Sequence, residues 1–341
     1  MPAPPIIGFK DALAQATESR NLLLGNGFSI ACKRDIFSYR ALLQEANFKE
    51  NCPLASKAFS VFKTADFEAV IQKLEDAAII LAIYKSIDKK TRSKIKKDAE
   101  CIRENLVKTL TAKHPNLPSD ITDAQYVNCR AFLANFSYKY TLNYDLLLYW
   151  ALMHDEVDSL EIECNDGFTR TDDVPQDYVV WDEASHEQNV FYLHGALHLF
   201  DAGCEIQKYT WSNTGVKLID QIRAALGRKM FPVFVAEGTH VDKAKKILHN
   251  SYLGRCFRGF EKTKKDLFVF GHSLSESDEH IVKAIEKSHV KKIFISVHGD
   301  LSSTTNKRLF ARAAQMQVVR QDGRYPLEII YYDADSAKVW G

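Results

Sequence analysis

The sequence has no Cys-x-x-Cys pair, no apolar run long enough to cross a bilayer, no surplus of either charge and no linker-like tract. Each absence closes off a class of protein. The seven cysteines, Cys32, Cys52, Cys101, Cys129, Cys164, Cys204 and Cys256, are scattered, which argues against a zinc ribbon. With no secretory signal, they are read as reduced thiols in a cytoplasmic protein. The longest apolar stretch, near residues 77–83, falls far short of the roughly 20 residues a transmembrane helix needs. Lys and Arg number 45 against 44 Asp and Glu, so at a net charge of +1 no global field draws the chain to nucleic acid or to a membrane. Gly/Ser- and Pro-rich linkers are missing too, which disfavours two domains on a flexible joint, and no internal repeat or low-complexity tract is visible.

What is present is enough apolar material for one large core, 46% of 341 residues. Short β-rich runs bounded by Gly, Asn or Asp recur at 22–25, 136–141, 190–194, 233–236, 267–271, 293–297 and 327–332. Such runs suit buried strands of a parallel sheet, and amphipathic stretches at 278–288 and 304–316 suit crossover helices between them. The fold expected is α/β, Rossmann-like and doubly wound, with a mainly parallel sheet and an α-helical insertion. The insertion is read over 46–129, where Phe67, Val70, Ile71, Leu74, Ala78, Leu81 and Tyr84 recur at helical spacing. Further helices are expected around 91–112 and 123–135, separated at Pro115 and Pro118. Residues 1–45 and 130–341 then form the sheet domain.

Four motifs end predicted strands, where an open α/β sheet binds ligands. Gly25-Asn26-Gly27-Phe28-Ser29 follows the first strand; glycines allow close backbone approach to phosphate, although a plain tight turn has the same look. Thr141-Leu142-Asn143-Tyr144-Asp145 presents a carboxamide and a carboxylate two residues apart, as either ligand groups or helix caps. His194-Gly195 puts an imidazole at a strand end, where a general base could work near neutral pH, as could a core histidine. His198 lies four residues on, but no Cys or second His cluster completes a metal set with it, so no metal is expected. Gly271-His272-Ser273 leads to Asp278 at a helix start, as a ligand contact or a cap; no Gly follows Ser273 as a nucleophile elbow would require. The basic run 89–97 lacks interleaved aromatics and reads as a solvated helix face, so direct contact with nucleic acid is not expected. Trp211 and Glu237-Gly238 fall in loops placed to close over a pocket.

Taken in order, the four motifs resemble the SIR2 superfamily. Gly25-Asn26-Gly27-Phe28-Ser29 looks like that family's Gly-Ala-Gly-x-Ser, Thr141-Leu142-Asn143-Tyr144-Asp145 its Thr-Gln-Asn-x-Asp, His194-Gly195 its His-Gly, and Gly271-His272-Ser273 its Gly-x-Ser. Within the superfamily the chain is most similar to the bacterial SIR2-like proteins grouped as DUF4917, with their Leu-Gly-Asn-Gly-Phe-Ser, Thr-x-Asn-Tyr-Asp, Leu-His-Gly and late Gly-x-Ser-x-x-x-x-Asp. The likeness implies NAD as substrate, His194 as base and Asn143 orienting the nicotinamide ribose or an attacking water. Asp145 would support the site, and Gly25, Asn26, Gly27, Ser29, Thr141, Gly271, Ser273 and Asp278 would join it in binding cofactor. It further implies hydrolysis of NAD to nicotinamide and ADP-ribose in bacterial anti-phage defence. Gating is expected to come from homo-oligomerisation or from an activating partner, such as an ATPase, a helicase or a phage component, with the helical insertion as the surface that receives it. Two departures limit the likeness: the paired Cys-x-x-Cys motifs of zinc-bearing deacylases are absent, and Asp35-Ile36-Phe37 only loosely echoes their Gly-Ile-Pro-Asp-Phe-Arg. The competing expectations are a non-catalytic NAD or ADP-ribose sensor, and a deacylase or ADP-ribosyltransferase.

Overall fold

Leu22, Leu23 and Leu24 expose no surface at all, and neither do Leu267, Phe268 and Val269. Strands apolar on both faces must be covered on both faces, which selects a parallel sheet between helix layers. The computed structural model describes residues 4–38, 42–44, 46, 52–65, 67–83, 88–170, 178–210, 216–228, 230–235, 240–323 and 325–341. Its strands are β1 (Ile6–Ile7), β2 (Arg20–Leu24), β3 (Tyr138–Thr141), β4 (Phe168–Thr169), β5 (Tyr178–Trp181), β6 (Val190–Tyr192), β7 (Gly195–Asp201), β8 (Ile206–Tyr209), β9 (Pro232–Phe234), β10 (Lys264–Phe270), β11 (His289–Val297) and β12 (Glu328–Asp333). The helices are α1 (Phe9–Gln15), α2 (Gly27–Cys32), α3 (Arg34–Phe37), α4 (Pro53–Val61), α5 (Phe67–Ile83), α6 (Lys89–Lys113), α7 (Asp123–Leu133), α8 (Leu147–Met153), α9 (Leu218–Gly227), α10 (His240–His249), α11 (Ser251–Glu261), α12 (Glu279–Lys287) and α13 (Thr304–Arg320).

Seven strands form one wholly parallel sheet in the order β1-β12-β11-β10-β2-β3-β6. From β2 the chain steps outward through β3 to β6, then returns to the other side of β2 and steps outward again from β10 to β12. The fold is therefore the expected doubly wound, Rossmann-like one, and the strand order reverses between β2 and β10. A crevice opens at that reversal on the carboxyl side of the sheet.

One strand was expected in the wrong sheet. The run at 233–236 reads like the others, but β9 joins a second, antiparallel sheet in the order β4-β5-β8-β7-β9. Apolar content alone does not separate the two cases. The chain passes between the sheets at Gly195, whose φ of +79° and a would-be Cβ only 1.9 Å from the Val233 carbonyl oxygen admit no other residue.

Between α3 and β3 the described residues form helices and their connections. The α5 and α6 helices pack on each other, and Asp88 and Thr122 cap α6 and α7 through hydrogen bonds to the Thr91 and Gln125 amides. Lys89, Lys90, Lys94, Lys96 and Lys97 are exposed along α6. The expectation that every cysteine is a free thiol fails at one pair, because Cys52 and Cys101 form a disulfide. A separation of 49 residues hides this in the sequence; folding α6 back against α4 brings the two Cα atoms to 6.3 Å. The remaining five cysteines are free. Among the described residues no helix is long and apolar enough to cross a membrane.

Candidate functional site

A cleft of about 1040 Å³ lies over the carboxyl ends of β2, β3, β6, β10 and β11. This is the upper end of the range for small-molecule sites, about 300–1,000 Å³. Its floor holds the strand-end motifs, and one wall is apolar, made by Phe37 and Leu42 with Leu106 and Leu110 of α6. The helical insertion therefore forms part of the cavity. Trp211 and Glu237-Gly238 lie outside the described residues.

The glycines of the first and last motifs hold each other. The Gly25 amide donates to the Phe270 carbonyl at 2.9 Å and the Gly27 amide to the Gly271 carbonyl at 2.8 Å. A Cβ on Gly25 or Gly27 would come within 2.6 Å or less of the 271–272 backbone, and Gly271, at φ +69°, would strike Gly27. The amides of Gly25, Gly27 and Phe28 are thus engaged within the protein. The glycines are required so that two loops can touch. Asn26 lines the cleft, with its side-chain amide donating to the Phe37 carbonyl at 3.2 Å.

Asn143 and Asp145 also line the cleft, whereas Ser29 and Thr141 do not. Both hydroxyls are buried beneath the site and work on it from below. Thr141 Oγ1 accepts the Asn143 amide at 3.0 Å, which shapes the turn after β3. Ser29 Oγ accepts from Asn143 Nδ2 at 2.9 Å and donates to Asp145 Oδ2 at 2.5 Å. The Asn143 carboxamide is thereby oriented with its oxygen left over for another partner. Asp145 Oδ1 also accepts the amide of Leu147, the first residue of α8, at 2.9 Å. Burial pushes the Asp145 carboxyl upward, against the hydrogen bonds from Ser29 and Leu147.

His194 stands on the other side of the cleft, where the chain leaves β6. Burial holds its imidazole well below the ordinary histidine range, so it is neutral at pH 7. Its Nε2 lies 2.9 Å from Nε2 of His280, in the first turn of α12. Asp278 occupies the cap position of α12, yet its side chain caps nothing. Instead Oδ1 meets the buried Lys243 ammonium at 3.1 Å and Oδ2 meets His272 Nε2 at 3.1 Å. His272 Nδ1 accepts the Leu274 amide, which leaves its Nε2–H as the donor to Asp278. Burial alone would raise the Asp278 carboxyl, but Lys243 and His272 outweigh it and hold the group well below the usual range. Donor atoms of His194, Asp278 and His280 lie within 4.8 Å of one another, a set that a cation could use. Such an ion would compete for Asp278 with Lys243 and His272, and for His194 and His280 with the hydrogen bond between them.

Sequence spacing found His194 and Asp278 but not Lys243 or His280, which are 35 residues and two residues from Asp278. His272 was in view only as the variable member of Gly271-His272-Ser273. The usable signal was Asp278-Glu279-His280, which places an imidazole at the same helix start as the carboxylate. His198, by contrast, takes no part: it is fully buried, packed against Tyr149 and Tyr192. Ser273 lies exposed at the cleft mouth.

The model of a family described as a domain of unknown function, DUF4917, matches residues 22–340, which takes in every motif of the site. No curated protein matches the chain.

Proposed function

The chain belongs to the DUF4917 family, and from that premise we propose that it hydrolyses NAD to nicotinamide and ADP-ribose. The observation that carries this is the pairing across one cleft of an oriented carboxamide, Asn143, and a neutral imidazole, His194, at the ends of adjacent strands β3 and β6. Nicotinamide leaves NAD by taking the electrons of its bond to ribose, and so departs neutral. No general acid is needed at the leaving group. What the reaction does need is a base for the incoming water and a site that orders ribose and water as positive charge develops on the sugar. His194 supplies the first and Asn143 the second, with Ser29 holding Asn143 in place.

A constitutive enzyme of this kind would deplete its own cell, so a gate belongs to the proposal. Ile79, Ile80 and Ile83 are exposed on one side of α5, an apolar face suited to a second copy or to an activating protein. Because α6 of the same insertion walls the cleft, contact there could be felt at the site. Anti-phage defence is the purpose proposed, in the cytoplasm where NAD is found. The Cys52–Cys101 bond would have to resist reduction there, with Cys52 buried and Cys101 half-buried.

A second reading, a non-catalytic NAD or ADP-ribose sensor, draws on the fact that His194 Nε2 is already occupied by His280. Nicotinamide release from NAD, followed by chromatography for wild type, His194→Ala and Asn143→Ala at low and high protein concentration, separates the two. Turnover by wild type that falls at least about 10²-fold in both variants is expected. NAD bound without release at any concentration would support the sensor. Near-normal release from either variant would remove that residue from the mechanism.

A further inference from the structure

His280 belongs to none of the four motifs and does not line the cleft, yet it holds one of the two nitrogens of the candidate base. We propose, on the footing of NAD hydrolysis, that His280 is a positioning residue. It turns His194 so that Nδ1 faces the cleft, and it takes up the proton that His194 displaces when it acts as a base.

The geometry supports each part. The two Nε2 atoms are 2.9 Å apart, so one N–H is shared between them and neither nitrogen is available to a substrate. His280 is held by packing, with His194 on one side at 5.1 Å between ring centroids and Phe257 on another at 6.1 Å. Its far nitrogen, Nδ1, is buried and has no hydrogen-bond partner among the described residues. A carboxylate in the place of His280 would lock His194 in one tautomer. A second imidazole anchored by nothing at its other end can instead take that proton over once His194 gains another at Nδ1.

The step balances without any co-reactant. Water attacking the ribose carbon gives a proton to His194 Nδ1, the Nε2–H of His194 passes to His280 Nε2, and His280 becomes an imidazolium. Reversal of these transfers after product formation releases the one proton that NAD hydrolysis yields. The groups facing the pair act in opposite directions: the Asp278 carboxylate favours the imidazolium, while the Lys243 ammonium, with His272 and His240, opposes it. Burial outweighs them and keeps His280 neutral, with a pKa lowered to about 3, so the proton is not retained.

The test uses the full chain labelled with ¹⁵N-histidine, as wild type, His280→Phe and His280→Gln. In wild type at pH 7 the expectation is two neutral rings with a scalar coupling across an Nε2–H···Nε2 hydrogen bond, lost in His280→Phe together with the tautomer bias of His194. In turnover, His280→Phe should lower kcat about 10–100-fold with KM for NAD within about twofold, because His280 does not touch the cleft. His280→Gln can restore the hydrogen bond to His194 but cannot accept a proton, so the His194 tautomer should recover while kcat does not. An unchanged His194 spectrum in His280→Phe overturns the proposal, as does full kcat in His280→Gln. So does micromolar binding of added Zn²⁺ with loss of both histidine signals, which would make the pair a metal site. If wild type proves inert toward NAD, either the proposed gate is closed or the hydrolysis reading fails, and in both cases the spectra decide whether His280 positions His194.

Discussion

His194 and His198 are four residues apart on one stretch of chain, both buried, and both held neutral by burial against nearby positive charge. Their surroundings otherwise differ in every respect. His194 has a hydrogen-bond partner at 2.9 Å, a carboxylate nearby and a cleft in front of it. His198 has no partner at either ring nitrogen among the described residues and is closed in by tyrosines, above the buried pair of Lys208 and Asp166. An imidazole in a strand is therefore not itself a sign of chemistry; the cleft and the partner on the far nitrogen make the difference. The same contrast separates the carboxylates. Asp278 lines the cleft and meets His272 there, whereas Asp166, away from the cleft, neutralises Lys208 and accepts the Phe168 amide.

The largest effect that should distinguish the two regions lies at Lys208. Lys208→Met leaves the Asp166 carboxylate buried without its ammonium, at a cost of about 3–5 kcal/mol in chemical denaturation. Lys208→Met combined with Asp166→Leu should recover most of that loss, with nicotinamide release unaffected throughout. If the double variant is as unstable as the single one, the pair is not the isolated structural unit described.

Acidification should sharpen the comparison next. His114 titrates near 4 and His280 near 3, and His194 and His198 lie well below 6.5, all through burial first. In the unfolded chain these groups take up protons as pH falls through 6.5, while in the fold they do not. Stability therefore falls from pH 6.5 to pH 5, by up to about 1.4 kcal/mol per pH unit for each such histidine. A denaturation midpoint that does not move across this window would show that the rings are already charged in the fold.

The smallest effect is at His198 itself. His198→Phe keeps a flat ring between Tyr149 and Tyr192 and removes two unpartnered polar atoms, so a gain of about 0.5–1 kcal/mol at pH 7 is expected, with a shallower loss toward pH 5. Unaltered nicotinamide release should accompany it. Loss of stability instead would mean that the ring nitrogens have partners after all.

How far such distinctions are legible in sequence depends on what lies adjacent in the chain. The parallel strands could be read because an apolar run such as Leu22–Leu24 needs no partner to announce itself, and the motifs because each follows its own strand. The second sheet was missed: β4 is only two residues long, and the apolar run of β5, Tyr178–Trp181, is only four. At the site, residue types were legible and directions were not. Ser29 and Thr141 belong to the site but face away from the cleft, and no spacing rule says which way a hydroxyl after a glycine turn will point. Lys243 and His280 were invisible because α10 and α12 meet only in three dimensions.

Gly25, Gly27 and Gly271 fasten the first and last strand-end loops to each other, backbone against backbone. The two halves of the doubly wound sheet are thus joined at their seam by parts that cannot slide apart without breaking both hydrogen bonds. Any on–off control of the cleft must then act through its other walls. The α6 wall, with Leu106 and Leu110, belongs to the segment between the two halves, so it can shift without disturbing the seam. Evolution could accordingly exchange one regulator for another by rewriting that segment, while the seam stayed as it is.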